Sequence, residues 1–172
     1  MMRILAAVGL VLACGAVQAQ APVKIKFVLD WKYQGLHAWY FIAQDKGYYK
    51  AEGLDVEIDQ GEGSAATITK IAGGAYNAGF GDVNAIIQLA ATKPQDAPVM
   101  TYMFYNKAPF VIIARKASGI SKPKDLEGKT VGSPPGAAAL KLFPALAKKA
   151  GIDNAKVQWV NMAPQLQEQM LL

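Results

Sequence analysis

Residues 54–72 read LDVEIDQGEGSAATITKIA, and the reading of this stretch decides the fold. From Leu54 to Asp59 apolar residues alternate with charged ones, the two-residue period of a half-buried strand. Gly61 and Gly63 then turn the chain, and Thr67, Ile68 and Ile71 follow at helical spacing. A strand, a glycine turn and a helix bring backbone N–H groups to one point, with Ser64 as the expected cap, where an anionic or polar group is readily received. The turn also satisfies the relaxed dinucleotide pattern G-x-G-x-x-A, and Asp82 lies about twenty residues on. That signal is weak, because glycine turns before helices arise for packing alone. No G-K-[S/T] follows, which excludes a P-loop. The turn is read as one wall of a small-solute site, with an ordinary capped helix as the alternative.

Working outward, 24–29 alternates as a first strand, and 37–44 is an apolar helical stretch that Gly47 can stop. Residues 78–81 form a short buried strand and 83–91 a further helix. The order β-α-β-α-β-α implies an α/β fold with a parallel sheet, whose ligands sit beyond the carboxyl ends of the strands. The rhythm then breaks. Residues 99–104 and 110–114 read as two strands without a helix between them, and 106–109 reads as a crossing into a second lobe. A polar loop over 118–128 leads to a strand at 129–132. Ser133-Pro134-Pro135-Gly136-Ala137 makes a second helix start, opening a helix over 137–150 that Pro144 interrupts. A strand at 156–160 follows, and 164–172 begins an amphipathic helix that stops without a cap on two leucines. The chain reads as cut short. The expectation is exposed apolar surface over 137–172 and weak closure on a ligand.

The first residues, Met1-Met2-Arg3 and an apolar run ending Ala16-Val17-Gln18-Ala19, have the form of a secretory signal peptide cleaved after Ala19. Val11-Leu12-Ala13-Cys14 is a poor lipoprotein site, and no later segment is long and apolar enough to span a bilayer. Cleavage removes the only cysteine, and with it any disulfide or thiolate chemistry. It also removes Arg3, lowering the net charge from +5 to +4. The lysines are scattered, which argues against a nucleic-acid partner. The organisation expected is a leader at 1–19, a first lobe over 20–106 and the start of a second over 107–172.

Two other groups stand at strand ends. Trp31, Tyr33 and His37 lie on the first strand-to-helix loop and could stack on a flat ligand, although composition alone favours Trp31 and Tyr33 covering the edge of the lobe and a structural role for the lone histidine. Asp82 and Asn84 offer a carboxylate and an amide, with Asp82 equally suited to cap the next helix. Catalytic signatures are sparse: one histidine, no G-x-S-x-G elbow and no H-E-x-x-H motif. The chain is therefore expected to be no enzyme and to carry no cofactor or metal.

At this point a resemblance is visible. LDWKYQGLHAWYFIAQDKGYYKAEGLDVEI (29–58), FGDVNAI (80–86) and SKPKDLEGKTVGSPPGAAA (121–139) resemble the periplasmic solute-binding proteins of ABC importers. Within these they are most similar to the group that handles thiamine pyrimidine precursors, alkanesulfonates and nitrate. The likeness covers essentially the whole chain after the leader, matching about the first half of such a protein. It implies a two-lobed type II periplasmic binding fold, with a second lobe incomplete here, that closes on a solute as a monomer and delivers it to an ABC permease. By matching position, Trp31, Gln34, His37, Gly61, Gly63, Ser64, Asp82, Asn84, Ser133, Gly136 and Ala137 would be ligand-binding. A pyrimidine precursor is favoured over sulfonate or nitrate, because Asp82 suits an amino group and repels an anion. The resemblance also extends to intracellular enzymes that make the thiamine pyrimidine. Their pyridoxal-phosphate lysine and substrate histidine fall on Val83 and Ile87 here, when aligned on Leu89-Ala90-Ala91. An exported interaction module without a solute is the other alternative.

Overall fold

A computed structural model describes residues 21–172; the proposed leader, with Cys14, lies outside the described residues. The first half contains β1 (Val23–Val28), α1 (Ala38–Asp45), α2 (Tyr48–Ala51), β2 (Leu54–Asp59), α3 (Ser64–Ala72), β3 (Ala78–Gly79) and α4 (Val83–Thr92). Its three strands are parallel in the order β2-β1-β3, with Val23 opposite Leu54, Val28 opposite Asp59 and Phe27 opposite Ala78. Parallel neighbours need crossovers, and α1 with α2, then α3, supply them. The central strand is covered on both faces at its carboxyl end, where Val28 and Leu29 are fully buried. The second half contains β4 (Thr130–Ser133), α5 (Ala138–Ala150), β5 (Gln158–Asn161) and α6 (Gln167–Leu171). Here β4 and β5 pair in parallel, with α5 as the crossover. Among the described residues no helix is long and apolar enough to cross a membrane.

Each sheet has its own core. Leu29, Tyr40 and Ile58 are buried together in the first, flanked by Phe27, Phe41 and Phe80. In the second, Leu126, Phe143, Ala147, Ile152 and Val157 pack with Val131 and Trp159. Helix α5 reaches this core through Phe143 and Ala147, four residues apart on one face. It ends at Gly151, whose φ of 68° supplies the left-handed turn that stops the helix. Pro144 is accommodated within it on the exposed side.

The crossing segment departs from expectation. Residues 99–104 and 110–114 have strand-like composition but form no strand, because no segment among the described residues lies alongside to complete a ladder. Pro98 and Pro109 also withdraw backbone donors at the start of each run. The consequence is a band of exposed apolar side chains, with Val99 85% and Ile113 69% accessible. The expected apolar surface over 137–172 is present as well, at Leu146, Val160, Leu166 and Met170.

Phe143 stands edge-on to Trp159 with ring centroids 4.9 Å apart, so the second core carries its own optical reporter. Phe143→Ala is expected to destabilise this half by about 3–5 kcal/mol. Urea unfolding followed by Trp159 fluorescence, with the other two tryptophans replaced by Phe, measures the loss.

Candidate functional site

The strand order 2-1-3 puts the carboxyl ends of all three strands side by side, so the loops after β1, β2 and β3 converge. The loop after β1 is held through its own carbonyls. Phe80 N–H donates to Val28 O (2.9 Å), the Thr67 hydroxyl to Leu29 O (2.9 Å), Gly63 N–H to Asp30 O (2.7 Å) and Gly61 N–H to Trp31 O (2.9 Å). Gly61 is required by this close approach, since a Cβ there would collide with the Leu29 carbonyl.

A polar cluster forms where the loops meet. The Ser64 hydroxyl donates to Asp30 Oδ2 (3.3 Å) and accepts from Asp82 N–H (3.0 Å). Ser64 therefore does not cap α3; Gly63 occupies the cap position and Ser64 is the first helical residue. Its side chain is drawn away from the helix start by the two loops beside it. Asp82 does cap α4, its Oδ1 accepting from the backbone N–H (2.9 Å) and Nδ2 (2.8 Å) of Asn84. His37 is completely buried, with its ring edge-on to Phe80 at 6.0 Å. Its Nε2 lies 3.4 Å from Asp30 Oδ1, close enough for an ion pair but out of hydrogen-bond alignment, and neither ring nitrogen has a hydrogen-bond partner.

The second half meets this cluster directly. Ala65 N–H, at the start of α3, donates to Gly136 O at 3.1 Å. Gly63 adopts a φ of 120°, and a Cβ on it would overlap Gly136. The two glycine turns were expected to face each other across a cleft; instead they are in contact, and a carbonyl from one occupies the helix start of the other. Lys32 Nζ adds a tie, 2.6 Å from both carboxylate oxygens of Glu168 on α6. The Lys32 ammonium holds the Glu168 carboxyl below the usual carboxylate range.

Beside this contact runs an open trough of about 1980 Å³. It exceeds the roughly 300–1,000 Å³ of small-molecule sites, so it is wider than one small solute fills. Trp31, Gln34, His37, Gly63, Ser64, Asp82, Asn84, Ser133 and Ala137 line it, while Gly61 and Gly136 lie behind in the turns. The expected Trp31–Tyr33–His37 platform is not assembled: Tyr33 turns away to donate to Ile58 O (3.0 Å), and His37 lies beneath the surface. The aromatic wall comes from elsewhere. Phe80, Phe104, Tyr40 and Tyr105 line the trough, with Phe104 against Phe80 at 5.8 Å. Burial pushes the Tyr40 phenol well above its ordinary value, so it stays a neutral hydroxyl. Sequence spacing placed Tyr40 on the helix over 37–44 and read 99–104 as a strand, so nothing signalled that the two would meet.

Comparison with known proteins adds the following. The family described as NMT1/THI5 like matches residues 34–171. A 4-amino-5-hydroxymethyl-2-methylpyrimidine phosphate synthase from Schizosaccharomyces pombe is 32% identical over 110 residues, covering 63% of this chain and 31% of the relative. A formylaminopyrimidine-binding protein from Halalkalibacterium halodurans is 27% identical over 148 residues, covering 86% of this chain and 44% of the relative. Among solved structures, the alkanesulfonate-binding protein SsuA from Xanthomonas axonopodis pv. citri, bound to MOPS, matches with a TM-score of 0.58 at 12% identity, covering 86% of this chain and 50% of that one. The fold is thus that of the type II periplasmic binding proteins, and the chain spans about a third to a half of the proteins it matches. The expectation that the chain is no enzyme is overturned: the Schizosaccharomyces relative carries an enzyme's name, so the sparse catalytic signatures do not set this chain apart from enzymes.

Gly63→Ala tests the contact between the turns, because the added methyl meets Gly136 and the backbone there disfavours any side chain. The substitution is expected to part the turns and to speed hydrogen exchange at the Ala65 amide at least tenfold, as a loss above about 1.4 kcal/mol would. The Lys32–Glu168 tie has its own signature. Glu168 has a lowered folded pKa, so the stability it contributes is present above the ordinary carboxylate range and is lost as pH falls through the folded value. Acidification is therefore expected to move the Glu168 carboxylate and Lys32 Nζ signals together in NMR, and Glu168→Gln to abolish the Lys32 response.

Proposed function

The chain belongs to the NMT1/THI5-like family, and from that membership we propose that it captures a flat, amino-bearing heterocycle of the thiamine-pyrimidine class as part of an exported solute-binding protein. The observation that carries this reading is the polarity of the strand-end wall. An anion such as a sulfonate or nitrate needs free N–H donors at a helix start. Here Ala65 N–H is taken by Gly136 O, and Gly61 and Gly63 N–H are taken by Trp31 O and Asp30 O. At the strand ends the wall offers carboxylate, from Asp30 and Asp82, while the nearby Lys32 is turned to Glu168; Arg115, Lys129 and the start of α5 line other parts of the trough. Such a wall repels anions and accepts from an amino group. Phe80, Phe104, Tyr105 and Trp31 add faces on which a ring can stack.

In this reading 1–19 directs export, 20–106 forms the first lobe, 107–172 begins the second, and 106–109 is part of the hinge between them. The eleven residues from Trp31 to Ala137 named for ligand binding then act as a set, nine of them at the trough and two shaping its turns. The protein works as a monomer, and an ABC permease receives the solute. The relatives named as synthases support a second reading, in which a protein of this family binds the same pyrimidine as an enzyme's product. Both readings share the ligand class.

Titration calorimetry on the chain is the test, with 4-amino-5-hydroxymethyl-2-methylpyrimidine, MOPS and nitrate as titrants. Binding of the pyrimidine alone is expected. Trp31→Ala is expected to weaken it about tenfold through loss of a stacked face. Heat from MOPS or nitrate with none from the pyrimidine would remove the assignment.

A further inference from the structure

The buried histidine is unexplained by the fold. His37 is wholly enclosed, yet neither ring nitrogen has a hydrogen bond. A buried polar atom left unpaired is unfavourable, and natural proteins keep few of them without a use. The group nearest to Nε2 is Asp30 Oδ1, at 3.4 Å, and Asp30 keeps 18% of its side chain accessible on the trough side. Behind the carboxylate stands an imidazole; before it, the trough.

The two acids of the wall are not equivalent. Asp82 spends Oδ1 on two N–H groups of Asn84, holding the start of α4. Asp30 receives only the Ser64 hydroxyl, at 3.3 Å, and that hydroxyl is itself anchored by Asp82 N–H. Asp30 also sits on the carboxyl end of the central strand, its carbonyl fixed by Gly63 N–H at 2.7 Å. Its carbonyl is anchored, and its carboxylate is flanked by one hydroxyl and one imidazole.

We propose that Asp30 is the specificity-determining carboxylate of the cleft, accepting a hydrogen bond from the ligand's exocyclic amino group, and that His37 and Ser64 are positioning residues that fix its orientation. This rests on the ligand class proposed above. The ligand's amino group supplies the contact that aligns Asp30 on His37, so the orphan imidazole of the free protein is satisfied when the cleft is filled.

The test pairs 4-amino-5-hydroxymethyl-2-methylpyrimidine with its analogue bearing an oxo group in place of the amino group, titrated into wild type, Asp30→Asn and Asp55→Asn. Asp30→Asn is expected to lower the preference for the amino compound by roughly 10- to 100-fold. Asp55→Asn, on the exposed face of β2 and away from the trough, is expected to leave the preference within about threefold. A folded Asp30→Asn protein that retains the wild-type preference overturns the proposal. The second readout is the ¹⁵N shift of the His37 ring. In the free protein Asp30→Asn is expected to move the Nε2 signal and Asp55→Asn to leave it in place; an unmoved Nε2 in Asp30→Asn overturns the positioning role. If wild type binds neither compound, the ligand class fails, while the ring shifts still decide whether Asp30 and His37 act as a pair.

Discussion

Four successive carbonyls at and just beyond the carboxyl end of the central strand hold the wall of the trough together. Val28 accepts from the loop after β3, Leu29 from the Thr67 hydroxyl on α3, and Asp30 and Trp31 from Gly63 and Gly61 in the turn between β2 and α3. Beyond the end of a strand such carbonyls would ordinarily face water. Here they order the turn before α3 and the approach to α4 against one rigid edge, so polar side chains on three loops reach a common point. The glycines of the turn follow from this arrangement, because backbone meets backbone and no Cβ fits at Gly61.

The second constraint is the meeting of the two glycine turns. A helix start is a natural anion site, and the sequence contains two of them. In the folded chain a carbonyl of the second turn takes an N–H of the first, and the polar side chains beside that contact are the carboxylates Asp30 and Asp82. The same contact and the Lys32–Glu168 tie join the two halves at the trough edge.

Much of the architecture was legible residue by residue. The alternation from Leu54 to Asp59 matches β2 along its full length, the glycine at 47 supplies a left-handed stop with φ 73°, and Asp82 caps α4. These features are local, set by the side-chain period and by backbone conformation, and need no distant partner to be recognised. The failures share the opposite property. The runs at 99–104 and 110–114 have the composition of strands, but a strand exists only as a ladder, and ladder partners are not written in the run itself. Ser64 has the identity of a cap but is drawn off by Asp30 and Asp82, residues 34 and 18 positions away.

The sequence by itself determined the α/β class, the order of the first three strands along the chain, the glycine turns and the family, because periodicity, turn chemistry and motif spacing are properties of short segments. Tertiary structure alone decided that His37 is buried behind Asp30, that Tyr33 leaves the trough while Phe80 and Phe104 wall it, and that the two turns close on each other. Those outcomes depend on which loops the 2-1-3 strand order brings together. Hydrogen-bond partners and burial are settled only when segments far apart in sequence compete for the same few ångströms of space.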